Sequence, residues 1–257
     1  MQRGGQAHAF SISTSNFKVV EPESSSPSLD NRKRLCARIP RSTYTSSACV
    51  PIYRMVPSNY SPIPGAGLPA RGLFIDRWGT LLETPTEDFC ESFSDAKFTP
   101  GAIDTLFHAC QSGWNIYLVG NEDPVAFGKL SDEKWKALES NLIEHLRAHG
   151  VTVKRCYSCL DNPDGKAPHD KESVFLFPNT GVMYHAAQMD GIILSESWVI
   201  GDGALELVSG WRAGCRLACI GDGSALSESE LKVEPEVQAM SLSQALSEIG
   251  AGVHTGR

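Results

Sequence analysis

No apolar run in this 257-residue chain approaches the roughly 18 residues that a membrane span needs. Nor do its first residues form the apolar stretch of a secretory signal, so neither a membrane partner nor export is expected. No internal repeat is visible, which excludes solenoids and propellers. The eight cysteines are scattered except for Cys156 and Cys159, and a chain this long needs no disulfide framework. Reduced thiols and a cytoplasmic location are the expectation. Basic residues are scarce after position 70, where 15 Lys and Arg face 27 Asp and Glu. Such a surface repels nucleic acid. Only the first 70 residues, with 8 basic and 3 acidic side chains, could attract it.

That leading segment is rich in Ser, Pro and Arg and shows no sustained period of 2 or 3.6. It cannot bury enough apolar surface to offset its chain entropy, so residues 1–70 are expected to be a disordered extension. Its basic run, Arg32-Lys33-Arg34, is read as solvated rather than as a nucleic-acid patch.

From position 71 to 257, 41% overall hydrophobic content and an alternation of short apolar runs with amphipathic stretches predict an α/β domain. Gly72-Leu73-Phe74-Ile75 reads as a buried strand delivering Asp76 to the edge of a sheet. Pro100-Gly101 opens a helix with Ile103, Leu106, Phe107 and Cys110 on one face. Further strands are expected at Asn115–Val119, Val151–Arg155, Trp198–Ile200 and Cys215–Ile220. Helices are expected from an N-cap at Ser131 to Gly150, with a stripe of Trp135, Leu138, Leu142 and Leu146, and over 181–189, 204–213 and 241–249. Residues 156–177 read as an irregular insertion. The sum is a three-layer, doubly wound parallel sheet of about five strands.

Two carboxylates then fall just past strands: Asp76 after the first and Asp202 after the fourth. In open α/β sheets that edge binds ligands, and paired acids suit a hard divalent cation such as Mg²⁺. Asp202 taken alone could equally be the N-cap of the next helix; Asp76 at the same edge tips the reading towards metal.

The stretch Asp76-Arg77-Trp78-Gly79-Thr80, the Pro-Gly-x-Ile-Asp-x-Leu helix start, the strand ending in Asn121, and Gly201-Asp202 before a helix ending Ala213-Gly214 together resemble the haloacid dehalogenase superfamily. Within it, the likeness is to the histidinol-phosphate and D-glycero-D-manno-heptose-1,7-bisphosphate phosphatases. The resemblance implies that Asp76 is a nucleophile forming an aspartyl-phosphate on a phosphorylated small molecule. It implies Mg²⁺ held by Asp76, the backbone carbonyl of Trp78 and Asp202, with Glu206 supporting those ligands from behind. Gly120 and Asn121 fall where the phosphoryl group is bound.

Three departures accompany the likeness. The family's acid/base Asp is Trp78, whose indole has one N–H donor and nothing to accept or give a proton in catalysis. The phosphate-binding Thr or Ser is Gly120, and the phosphate-binding Lys is Phe177. Losing acid/base help costs about 10²–10⁴ in rate, and losing a preorganised donor about 10²–10³ more. The expectation is therefore a phosphatase-like domain with impaired turnover, a pseudoenzyme; Lys166, His169 or Lys171 are the candidate substitutes. An active Mg²⁺-dependent phosphomonoesterase and an interaction protein that binds through its basic segment are the competing readings.

The family's zinc loop is not expected here. Cys159 could match its first ligand, but Asp161 stands in place of His, and Ser173 and Phe175 replace the second pair. With Cys156 and His169 the region offers three good ligands at most, where tetrahedral zinc wants four. His185 reads as a surface or capping residue and Asp222 as part of a turn.

Overall fold

The computed structural model describes residues 70–224, 226 and 232–251; the expectation of a disordered 1–70 extension and the reading of its basic run lie outside them, Ala70 apart. Among the described residues six parallel strands form one sheet: β1 (Gly72–Asp76), β2 (Asn115–Asn121), β3 (Val153–Cys159), β4 (Trp198–Gly201), β5 (Arg216–Ile220) and β6 (Val237–Ala239), in the order β3-β2-β1-β4-β5-β6. The helices between them are α1 (Ala102–Gln111), α2 (Asp123–Ala126), α3 (Asp132–Ala148), α4 (Gly181–Asp190), α5 (Ala204–Ala213) and α6 (Leu242–Ile249).

Alternation along the strands divides the core into two layers. Leu73 and Ile75 of β1, Ile116 and Leu118 of β2, and Trp198 and Ile200 of β4 face α1, α3 and α6. Phe74, Tyr117, Val119 and Val199 face α4 and α5. Helix α3 begins at Ser131, whose side chain accepts from the Lys134 N–H, and buries Trp135, Leu138, Leu142 and Leu146, the stripe that its 3.6-residue period predicts.

Three expectations and one competing reading need correcting. The sheet gains a sixth strand, β6, paired with Ala218–Ile220 of β5; its three residues carry too little apolar pattern to announce a strand. Strand β3 runs on to Cys159, because its polar residues continue the ladder with β2 as far as Asn121, so the irregular segment starts at Leu160 rather than Cys156. Helix α1 buries Ala102, Thr105, Leu106 and Ala109 and leaves Phe107 37% exposed, its face being turned by one residue because small side chains sit closest to the sheet. Finally, the N-cap of α5 is Gly203 and not Asp202.

The close packing of α5 on the sheet rests on a glycine. A Cβ at Gly210 would stand 2.5 Å from Val199 Cγ2 and 2.9 Å from Leu217 Cδ2. Overpacking of this kind costs about 1–3 kcal/mol. Gly210→Ala is therefore expected to lower the melting temperature by several degrees, read by circular dichroism; an unchanged value would mean that α5 does not press on β4 as described.

Candidate active site at the sheet switch point

The chain runs from β1 outwards through β2 to β3, then returns to β4 on the other side of β1. The direction of winding therefore reverses between β1 and β4, and the crevice at that point is where doubly wound sheets bind ligands. Asp76 ends β1. Ile75 pairs with Ile200 on β4, so Asp202 emerges from the neighbouring strand one residue beyond the same level.

Two glycines let the acids close in. Gly79, with φ +80°, passes directly under Asp202, where any Cβ would overlap the carboxylate, and Gly201 leaves room for the Glu206 side chain to fold back over it. Glu206 also accepts from the Gly203 N–H at 2.5 Å, which caps α5. The ligand atoms of Asp76, Asp202 and Glu206 consequently lie within 4.8 Å of one another.

Such crowding moves the protonation equilibria. Burial, then Glu206 and Asp202, hold the Asp76 carboxyl well above its ordinary value. Burial also raises Asp202, and it pushes Glu206 up to about 7, with Asp202 adding to the rise. Mutual repulsion in a half-buried, oxygen-rich site is the condition that a hard divalent cation relieves, so the donor set fits Mg²⁺.

A second network lies beside the first and was not foreseen. Arg77 alternates to the face opposite Asp76 and is fully buried. Its guanidinium is paired with Glu122 and Glu139 and donates to Ser158 Oγ at 2.7 Å, over the ring of Trp135. The other oxygen of Glu122 accepts from the indole N–H of Trp78 at 3.2 Å. Trp78 thereby turns into the apolar groups formed by Phe93, Val125, Leu130 and Leu138. Burial pushes the Glu122 carboxyl up to about 7 against the pull of Arg77.

Gly120 sits at the centre of these groups: a Cβ there would lie 3.5 Å from Asp76 Oδ1 and 3.4 Å from both Arg77 Nη1 and Glu122 Oε1. A hydroxyl at this position would reach a phosphoryl group on Asp76; glycine offers none. Asn121 spends its side chain on the chain opposite, accepting from the Phe177 N–H at 2.9 Å and donating to its carbonyl at 3.3 Å. The Phe177 ring is buried with Val182 and Leu207 beneath α4 and α5.

The candidate substitutes fare differently. Both ring nitrogens of His169 are taken, by Asp161 at 3.0 Å and Asp132 at 2.8 Å, and Lys166 lines a groove along the start of α3. The structure does not bring either to Asp76, and Lys171 has no described contact there. Cys156 and Cys159 stand three apart on a regular strand and so point to opposite faces, which prevents them from sharing a metal. His185 pairs with the Tyr157 hydroxyl at 2.9 Å, and Asp222 accepts from the Ser224 N–H in a tight turn.

The raised carboxyls have a consequence for stability. Between about pH 4.5 and 7 the folded site keeps protons that the unfolded chain has released, so stability falls as pH rises through that window. His169, raised by Asp132 and Asp161, acts in the same direction just above it. Asp88 and Asp190 are held below their ordinary value and act only in more acid solution. The metal-free domain is expected to melt roughly 5 °C or more higher at pH 5.5 than at pH 7.5. Asp202→Asn, which removes one like charge, should flatten that slope while abolishing any stabilisation by Mg²⁺ at pH 7.5. A slope of the opposite sign would show that the three acids do not crowd.

No family model matches the chain. It is 26% identical over 184 residues to D-glycero-beta-D-manno-heptose-1,7-bisphosphate 7-phosphatase of Mesorhizobium japonicum, over 71% of this chain and 82% of that protein. It is 25% identical over 130 residues to the histidine biosynthesis bifunctional protein HisB of Legionella pneumophila; the match takes in 51% of this chain but only 35% of that relative's length. Among solved structures, the D,D-heptose 1,7-bisphosphate phosphatase of B. bronchiseptica complexed with magnesium and phosphate superposes with a TM-score of 0.60, at 21% identity, over 69% of this chain and 96% of that one.

Proposed function

We propose that the chain is a member of the haloacid dehalogenase superfamily and, within it, a Mg²⁺-binding domain of the sugar-phosphate phosphatase type whose hydrolytic turnover is impaired. One observation carries the second half of this reading: the only N–H of the Trp78 side chain is donated to Glu122, and the ring packs into apolar side chains. No proton donor or acceptor stands two residues beyond Asp76. The heptose-bisphosphate relative and the magnesium-bearing structural neighbour support the first half.

Asp76 and Asp202 would hold the cation together with the Trp78 carbonyl, with Glu206 supporting them from behind; when bound, it supplies positive charge that offsets both the acids and the phosphoryl oxygens. Asp76 attacks phosphorus, and the ester oxygen departs without a proton from position 78. Release of the phosphoryl group from Asp76 then needs a water that loses its proton, again with no base at that position. At Gly120 and Phe177 the side chains that would hold phosphate are absent, which leaves backbone groups such as the Asn121 N–H. The combined loss is about four orders of magnitude or more, short of strict additivity.

A specific feature favours the competing reading of an active phosphomonoesterase. Glu122 lies beside Gly120 with its carboxyl raised to about 7, near the value an acid/base group needs. To serve, it would have to let go of Arg77 and Trp78, each of which now holds one of its oxygens.

Purified protein with Mg²⁺ and a panel of sugar phosphates is expected to turn over at about 10⁻³ s⁻¹ or slower. Trp78→Asp combined with Phe177→Lys should raise that rate at least tenfold. Several turnovers per second, abolished by Asp76→Asn and by Glu122→Gln, would replace this reading with the active one. In parallel, Mg²⁺ is expected to raise the melting temperature of the wild type but not of Asp202→Asn.

A further inference from the structure

Beside the Asp76 crevice, the segment after β1, the end of β2 and the start of α3 enclose a cavity of about 260 Å³. It shares Trp78, Asn121 and Glu122 with the site just described. Glu122 Oε1 and Asp76 Oδ1 both lie within 3.5 Å of one point above Gly120. The Glu122 wall of the cavity is therefore within reach of a group esterified to a phosphate held at Asp76.

The walls select what fits there. Three aromatic rings, Trp78, Phe89 and Trp135, dominate them, and Pro, Val and Leu side chains complete the apolar part. The charged residues in the lining are Asp88, Glu122 and Asp123, and none of the lining residues is basic. The segment 83–95 that covers the cavity carries five acids and no Lys or Arg. The cations of the neighbouring residues are committed elsewhere: Arg77 is paired with Glu122 and Glu139, the Lys129 ammonium is held by Asp88 at 2.9 Å and that of Lys134 by Glu91 at 2.6 Å. A second phosphate would enter as a dianion between like charges with no donor fork to receive it. A flat ring would exchange water for three aromatic faces. The volume, at the small end for ligand cavities, admits one or two rings rather than a nucleotide.

Resting on the reading of Asp76 as the phosphoryl site, we propose that this cavity takes the organic portion of a phosphate monoester that is flat, apolar and either uncharged or cationic, and that it rejects the second phosphate of a sugar bisphosphate. The likeness to heptose-bisphosphate phosphatases thus extends to the phosphoryl end of the ligand and stops at the other end.

The full chain, with Mg²⁺ at pH 7.5, is titrated with inorganic phosphate, phenyl phosphate and fructose 1,6-bisphosphate, following the heat of binding and the tryptophan fluorescence, to which Trp78 and Trp135 contribute two of five indoles. Inorganic phosphate should bind in a manner lost in Asp76→Asn. Phenyl phosphate should bind at least tenfold tighter than phosphate, and the bisphosphate no tighter than phosphate. Phe89→Ala should remove the advantage of the phenyl group and leave phosphate affinity unchanged. Asp88→Lys, at a side chain that is 77% exposed, should improve the bisphosphate at least threefold. If phosphate binds but the bisphosphate outcompetes phenyl phosphate in the wild type, the proposal falls alone. If phosphate does not bind, or binds equally well to Asp76→Asn, the Asp76 reading falls and takes the proposal with it.

Discussion

Three carboxylates meeting at the half-buried end of a strand repel one another, and this fold holds them together nonetheless. The sheet order imposes the meeting: β1 and β4 are neighbours although 122 positions separate Asp76 from Trp198, and their ends must face the same way because the strands are parallel. The glycines at 79 and 201 remove the last steric barrier. Repulsion raises the carboxyl equilibria and makes the pocket a sink for positive charge, either protons or a cation. Everything that the site can do begins from that choice.

The alternation of β1 also separates two kinds of charge. Asp76 emerges on the α4 and α5 side, whereas Arg77, one residue later, is driven to the α3 side and buried. An uncompensated buried guanidinium would cost several kcal/mol, and Glu122, Glu139 and Ser158 supply the compensation from three other segments. Glu122 has an oxygen to spare, and the Trp78 indole takes it. Trp78, at the position that the sequence resemblance assigns to an acid/base Asp, is thus drawn into the network that satisfies Arg77, and its ring becomes part of the wall of the neighbouring cavity.

What could be read in the sequence follows from the range of each signal. The α3 stripe is complete in the chain because four apolar residues at helical spacing need no partner to be recognised. Asp76 and Asp202 stood out because each ends an apolar run, whereas Glu206, the third residue of α5, was named only through the family resemblance, as the acid four residues after Asp202. Glu122 did not stand out. It sits in a loop after β2, 45 residues from Arg77, and nothing local distinguishes it from a solvated acid. The same limit hid the length of β3, whose Cys-Tyr-Ser-Cys end is strand only because β2 offers a ladder, and it made Cys156 and Cys159 resemble a ligand pair until the strand turned them apart. Elements defined by their own periodicity show in sequence; groups defined by a distant partner do not.

On the proposed reading, the separation of the two networks is what would let a phosphate scaffold give up its proton chemistry and keep its shape. Replacing an Asp at position 78 by a large aromatic would be disruptive if that side chain had to remain in the crevice with Asp76. Here the indole finds an acceptor in Glu122 and apolar contacts around Trp135 and Val125, so the substitution fits the domain's own packing. The arrangement of the three carboxylates does not depend on that side chain, because Asp76, Asp202 and Glu206 are positioned by strands and by the α5 cap. On the proposed reading, binding and turnover would be separable in this architecture: the first would rest on the sheet, and the second on a side chain that the α3 network has claimed.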